Sequence, residues 1–350
     1  MEELSRSYLK QFSEFKNHKA VYRFEDAATE LKGFIAIHND NLGPATGGTR
    51  MFPYPSEEDA LRDVLKLSRA MTYKCTMAGV RHGGGKAVII GNPNTDKTER
   101  LIRAYARKIG ELKGVYSTGE DVGISEADVQ IMMQEAPCFV GKTGVAGDPS
   151  PFASKSTFLA MQSASEEVFG GSLQGKRIAV KGIGKVGGEL IRLLVGAGAH
   201  VTVADIRDEA VQKLASSPSI NKGDTRTIHA IEADIFAPCA MGGDLTLSSI
   251  QGIKAKLICG AANNQLASDE IGDALWNMGK IYIPDYVANM GGLINVVDEL
   301  EQGGYSRDRV EERIQSVVKK VKTILRVAKE KNISPHRIAD TMAESIFMNV

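Results

Sequence analysis

Residues 83–86 read Gly-Gly-Gly-Lys, and Lys86 runs straight into the apolar stretch Ala87, Val88, Ile89 and Ile90. Three consecutive glycines cost backbone entropy and offer nothing to pack. The gain must lie in a bare backbone beside Lys86, with space for a ligand rather than side chains. Lys74 precedes Lys86 by 12 positions, and Gly79 with Gly83 to Gly85 rules out one continuous helix between them. Two ammonium groups brought together repel, so such a pair wants an anion. A lysine in a dry pocket near a second cation is also pushed towards its neutral form and becomes available for proton transfer. Asp121, set between Gly119 and Gly123 in the turn-type sequence TGEDVG (118–123), is the complement. One lysine could hold a carboxylate, the other activate water, and the aspartate accept a proton. Taken singly, each of the three also reads as a solvated surface charge.

A second constellation carries different chemistry. Gly182, Gly184 and Gly187 form G-x-G-x-x-G directly after RIAVK and open the helical sequence VGGELIRLLVGAG, with Lys185 and Val186 inside the turn. The first glycine permits the tight turn, the second lets backbone approach a pyrophosphate, and the third allows close helix–strand packing. Asp205 follows Gly182 by 23 positions at the end of the next β-type run. There a carboxylate accepts hydrogen bonds from adenosine ribose and repels a 2′-phosphate, favouring NAD over NADP, although Arg207 tempers that preference. Further on, KLICGAANNQLA (256–267) reads as a buried strand ending in Ala261, Asn263 and Asn264. The asparagines either hold nicotinamide ribose or substrate, or cap the next helix.

The elements that must position these residues alternate between β-type and helical periods, which means an α/β layer. GFIAIHND and KAVIIG read as strands, and Leu61, Val64, Leu65 and Met71 fall at helical spacing behind Ser56 as a cap. The pattern breaks into Gly, Pro, Ser and Asp at 142–156, the punctuation of a connection. We therefore expect two domains: an amino-terminal α/β domain at 1–146 and a Rossmann-type dinucleotide domain at 147–332, with the terminal helices at 333–350 packing back on the first. A chain of 350 residues with 43% hydrophobic content is long enough for two cores. The 43 basic and 43 acidic residues cancel, which argues against a nucleic-acid footprint. No apolar run suits a membrane span or a signal peptide, so a cytoplasmic location is expected. Cys75, Cys138, Cys239 and Cys259 lack C-x-x-C spacing, which disfavours a metal site or disulfides.

Seven stretches taken in order resemble the amino-acid dehydrogenase family that includes glutamate, leucine, phenylalanine, valine and tryptophan dehydrogenases. They are LGPATGGTRM (42–51), MTYKCTMAGVRHGGGKAVI (71–89), TGEDVG, GDPSPF (147–152), KGIGKVGGEL (181–190), CGAANNQLA (259–267) and PDYVANMGGLINVVDE (284–299). The resemblance implies NAD-dependent, reversible oxidative deamination of an L-amino acid in a cleft between two domains, in a homo-oligomer. Lys74 and the Gly48 amide would then bind the substrate carboxylate, Lys86 with a lowered pKa would activate water, and Asp121 would exchange protons with the amino group. Asn263 and Asn289 are further matched positions, and Gly182, Gly184, Lys185, Val186, Gly187, Asp205, Ala261 and Asn263 would hold NAD.

Leu42, Met71, Gly119, Leu293 and Val296 match pocket-lining positions of the leucine and phenylalanine enzymes. None is charged, which disfavours glutamate. Glycine at 119, where leucine dehydrogenases usually carry alanine, implies a pocket larger by a methyl and with Leu293 points to phenylalanine or tryptophan. Leucine or valine is the alternative, and a catalytically silent NAD-binding regulator is the rival from another class. In one departure, the threonine-alanine pair the family usually carries after GDPSP is replaced by Ala153-Ser154-Lys155-Ser156, so one cofactor contact is lost unless Ser154 or Ser156 supplies it.

Overall fold

The computed structural model describes residues 1–141, 144–214 and 219–349. Lys142 and Thr143, at the start of the expected connection, and Val350, at the end of the expected terminal helix, lie outside the described residues. The chain folds as two compact units. The first comprises Met1–Gly147, Val296–Ser306 and Ala343–Val350; the second comprises Asp148–Asn295 and Arg307–Met342.

The first unit is built on strands β1 (Glu2–Glu3), β2 (Ala20–Asp26), β3 (Leu31–Asn39), β4 (Ala45–Thr46), β5 (Thr49–Phe52), β6 (Gly83–Ile90) and β7 (Tyr116–Ser117). They order as β1-β2-β3-β6-β4-β7, with β5 also on β6. β3 meets β6 antiparallel, whereas β4 and β5 run parallel to it, so β6 is central. The helix Glu57–Ala78 covers this strand because its sequence starts and stops it cleanly. The Ser56 hydroxyl accepts the Asp59 amide, three acidic residues occupy the first turn, and Gly79 takes a left-handed conformation at φ 70°. Leu61, Val64 and Leu65 then bury against Val21, Phe34 and Val88.

Gly83 to Gly85 lie inside β6, and protein atoms occupy the space beside them, which corrects the reading of the bare backbone as ligand space. A Cβ at Gly84 would fall 2.0 Å from the Thr72 amide nitrogen, and one at Gly85 would fall 2.8 Å from the Tyr116 ring. The glycines let the long helix and Tyr116 press onto the strand, and the protein itself fills the space. That close approach fixes the depth at which Lys86 enters.

The second unit carries β8 (Arg177–Lys181), β9 (His200–Ala204), β10 (Ile220–Lys222), β11 (Ile235–Pro238), β12 (Leu257–Ile258) and β13 (Ile281–Tyr282). All pair in parallel in the order β10-β9-β8-β11-β12-β13. Two-sided burial explains the short apolar strands, with Ile178, Val180, Val201, Val203 and Phe236 at most 2% exposed. The order reverses beside β8, and ligands of such sheets sit at the strand carboxyl ends there. The helices Arg307–Lys331 and Pro335–Phe347 close the chain. The last of these passes to the first unit at Ala343. Phe347 stands 5.5 Å from the Tyr73 ring, and the Tyr73 hydroxyl donates to Glu344 at 2.6 Å.

Candidate active site

In the first unit Lys86 and Asp121 meet. Lys86 is 4% exposed, and its Nζ donates to Asp121 Oδ1 at 3.0 Å. Asp121 is held in a tight turn bridged to Ile124, with Gly123 at φ 80°. A Cβ at Gly123 would strike the Met51 carbonyl oxygen at 2.2 Å, so only glycine fits. Lys97 secures the same turn by donating to the Gly123 carbonyl at 3.0 Å and to Asp128 at 2.7 Å.

A cation that bonds this pair directly is Arg50, for which the sequence carries no motif. Its Nε donates to Asp121 Oδ2 at 3.0 Å and its Nη1 to Asp63 Oδ2 at 2.9 Å. The Tyr54 hydroxyl donates to the same Asp63 oxygen at 2.5 Å. Burial pushes the Asp121 carboxyl up, but the Lys86 ammonium and the Arg50 guanidinium outweigh it and hold the group well below the usual carboxylate range. Asp121 is therefore ionised. An alternating half-buried arginine on β5 was the available signal; its partner Asp63 lies on another element and shows in no local pattern.

Gly48 stands directly against this carboxylate, since a Cβ there would fall 2.2 Å from the Glu120 carbonyl oxygen and 3.0 Å from Asp121 Cβ. Its peptide is oriented from behind: the Tyr116 hydroxyl donates to the Gly47 carbonyl at 2.5 Å. Met71 packs beside Gly47, and half-buried Lys74 follows it by one helical turn. Leu42 is half-buried in the loop before Gly43. At Gly119 an added Cβ would meet the Val140 oxygen at 2.9 Å and Val140 Cγ2 at 3.1 Å. Val140 fills the space that a methyl would take, so the glycine opens no extra pocket volume. Leu293 and Val296 lie on the helix Gly291–Val297, in the second and first units respectively.

The second unit gathers the dinucleotide candidates. Gly182 adopts φ 104° and sits against Ala240, Gly187 packs on the Gly182 carbonyl, and Gly184 faces open space at the start of the helix Lys185–Gly196. Exposed Lys185 lies 3.6 Å from Asp148, and the Val186 carbonyl accepts from Ser154 at 2.8 Å. Asp205 accepts the Ile183 amide at 2.7 Å, the Arg207 amide at 2.9 Å and the Arg207 guanidinium. Chiefly through Arg207, with burial opposing, its pKa falls to about 2. Asn289 Nδ2 donates to the Ala261 and Ala262 carbonyls and to Asn263 Oδ1. Its own Oδ1 is buried without a hydrogen-bond partner. An orphaned buried acceptor and an open glycine turn both fit a dinucleotide.

The Ser154 and Ser156 hydroxyls are both engaged within the protein. Ser154 is within bonding reach of the Ser150 and Val186 carbonyls, and Ser156 spans the Ala153 carbonyl and the Gly291 amide. Among the described residues no cluster of three or more His, Cys, Asp or Glu side chains suits a metal ion. No described helix is long and apolar enough to cross a membrane.

A parallel sheet with a glycine turn at its switch point, joined to a unit with a buried lysine–aspartate pair, defines an oxidoreductase of the amino-acid dehydrogenase class. Residues 14–138 match the Glu/Leu/Phe/Val dehydrogenase dimerisation domain, and residues 202–346 match the glutamate/leucine/phenylalanine/valine dehydrogenase domain. The chain belongs to this Glu/Leu/Phe/Val dehydrogenase family. It is 44% identical over 338 residues to a leucine dehydrogenase of Geobacillus stearothermophilus, covering 95% of this chain and 92% of the relative. It is 42% identical over 334 residues to a valine dehydrogenase of Streptomyces virginiae, with 93% of each chain covered. The crystal structure of L-tryptophan dehydrogenase from Nostoc punctiforme superposes with a TM-score of 0.81 at 38% identity, covering 95% of this chain and 96% of that one.

Proposed function

We propose that the protein catalyses reversible oxidative deamination of a branched aliphatic L-amino acid, leucine or valine, to its 2-oxo acid and ammonium, with NAD as oxidant. The Lys86–Asp121 pair at 3.0 Å beside Gly48 carries this reading. The aliphatic choice rests on similarity to leucine and valine dehydrogenases and on Val140 occupying the space beside Gly119. The 38% identity to a tryptophan dehydrogenase favours an aromatic substrate as the second reading. The Asp205 carboxylate supports NAD over NADP.

In this scheme residues 1–146 bind substrate and assemble the oligomer, as the match to a dimerisation domain suggests, while residues 147–332 bind the dinucleotide. A cytoplasmic location belongs to the same reading, with its four free cysteines.

Lys74 and the Gly48 amide meet the substrate carboxylate, and the ionised Asp121 meets its ammonium. Leu42, Met71, Gly119 and Val296 of the first unit, and Leu293 of the second, are the residues this reading assigns to side-chain selectivity. Gly182, Gly184, Lys185, Val186, Gly187, Asp205, Ala261 and Asn263 hold the dinucleotide, which when bound supplies the acceptor for the α-hydrogen as hydride, and Asn263 and Asn289 are assigned to the substrate as well. Asp121 takes a proton from the substrate ammonium before the hydride leaves, Lys86 takes a proton from the water that adds to the resulting iminium carbon, and Asp121 returns its proton to the departing ammonia. The pair holds one proton at rest, so it accepts another only when that one has left, and deamination rises with pH. NADH formation with leucine, valine, phenylalanine, tryptophan and glutamate, using NAD and then NADP, tests the reading. Preference for an aromatic substrate favours the second reading, and NADH binding with silence on all five favours the regulator.

A further inference from the structure

We propose that Arg50 is a positioning residue for the proton-handling pair, aiming the Asp121 carboxylate at Lys86 and lowering the pair's proton affinity, with Asp63 limiting how much of its charge the pair feels. The inference rests on the assignment of Lys86 and Asp121 to proton transfer, and it adds two residues to that site.

The geometry is a row of alternating charges: Tyr54 hydroxyl, Asp63, Arg50, Asp121, Lys86. Successive distances along it measure 2.5, 2.9, 3.0 and 3.0 Å. Arg50 takes Asp121 Oδ2 with Nε, which leaves Oδ1 to Lys86. Its planar guanidinium reaches the two carboxylates in fixed directions, which an ammonium on a flexible stem does not reproduce. Arg50 and Asp63 are about three-quarters buried, with side-chain exposures of 23% and 26%, so solvent screens the row only in part. Burial disfavours the charged Arg50 guanidinium, and the Asp121 and Asp63 carboxylates outweigh it, so Arg50 stays a full cation. Charged groups among the described residues on the surrounding elements include Arg50 on β5, Lys86 on β6, Asp63 and Lys74 on the Glu57–Ala78 helix, Glu120 in the turn itself, and the Lys97–Asp128 pair that secures the turn. Tyr116 is near enough for Asp121 to help hold its hydroxyl protonated.

Removing the Arg50 cation makes a proton more welcome at either member of the pair, so the acid limb of activity moves to higher pH. Removing the Asp63 anion leaves Arg50 less compensated and moves it to lower pH. A residue that merely held the fold would not give opposite displacements.

The test is the pH dependence of kcat/KM for leucine in wild type, Arg50→Gln, Arg50→Lys and Asp63→Asn. In parallel, Lys86 is trace-labelled with acetic anhydride across pH and read by peptide mass spectrometry. Arg50→Gln should move both midpoints up by about one pH unit, about tenfold in rate at a fixed pH on the limb. Arg50→Lys should return the midpoint towards wild type, and Asp63→Asn should move it down. Unmoved midpoints, or shifts of one sign in Arg50→Gln and Asp63→Asn, overturn the proposal. If Arg50→Gln fails to fold, Asp63→Asn decides alone. Labelling needs no turnover, so an inactive wild type would defeat the functional reading while the labelling midpoints still decide this one.

Discussion

Replacing Asp121 by asparagine removes one charge and almost no volume, and its cost follows from what stays behind. Among the described residues Lys86 donates to no side chain other than Asp121, and its side chain is 6% exposed. Arg50 keeps Asp63 as a partner. Deleting one member of a fully buried ion pair costs about 3–5 kcal/mol because the other charge is stranded. Asp121 retains 23% exposure and an amide oxygen still accepts one bond, so we expect about 1–3 kcal/mol at pH 7. Urea unfolding followed by far-ultraviolet circular dichroism, at fixed protein concentration, should show a lower midpoint at unchanged slope. Adding Lys86→Met should recover much of the loss while activity stays absent, because the stranded charge is gone. An Asp121→Asn protein as stable as wild type would refute the reasoning, as would a second substitution that only adds further loss.

Three other outcomes follow from the same geometry. Gly119→Ala should lower stability by about 1–3 kcal/mol through the clash with Val140 and leave the leucine-to-phenylalanine turnover ratio little changed, which unfolding and kinetics check together. Asp205→Ala should weaken NADH binding about tenfold or more, with NADPH affected less because Arg207 is released; equal losses in fluorescence titrations would contradict this. Burial lowers His18 to about 4, with Arg69 reinforcing and the Leu65 carbonyl opposing, and lowers His38 to about 3, with His18 and Arg69 reinforcing. Both are neutral in the fold, so their stabilisation is complete above the unfolded value of about 6.5 and drains as pH falls towards 4 and then 3. The urea midpoint should drop over that window, and His18→Asn should flatten the drop.

What could be read from the chain was what spacing encodes. Ser56, Leu61, Val64 and Gly79 define the long helix through capping and periodicity, and Gly182, Gly184, Gly187 and Asp205 define a turn whose parts lie within one β-α-β unit. The triple glycine misled because the groups it admits, Thr72 and Tyr116, come from other elements. The same holds for Gly119, whose neighbour Val140 lies 21 positions away, and for Arg50 and Asp63, which meet only when a strand and a helix fold together. The terminal segment, expected on the first domain from 333, joins the first unit at Ala343, and the contact of Phe347 with Tyr73 there has no local sequence mark.

The central claim is that Lys86 performs chemistry and does not merely hold the fold. The most direct measurement compares wild type with Lys86→Ala in ammonium-dependent NADH oxidation using 4-methyl-2-oxopentanoate, with NADH affinity measured alongside. The account predicts unchanged NADH binding and turnover lowered by about 10²-fold or more. Near wild-type turnover in the variant would contradict it.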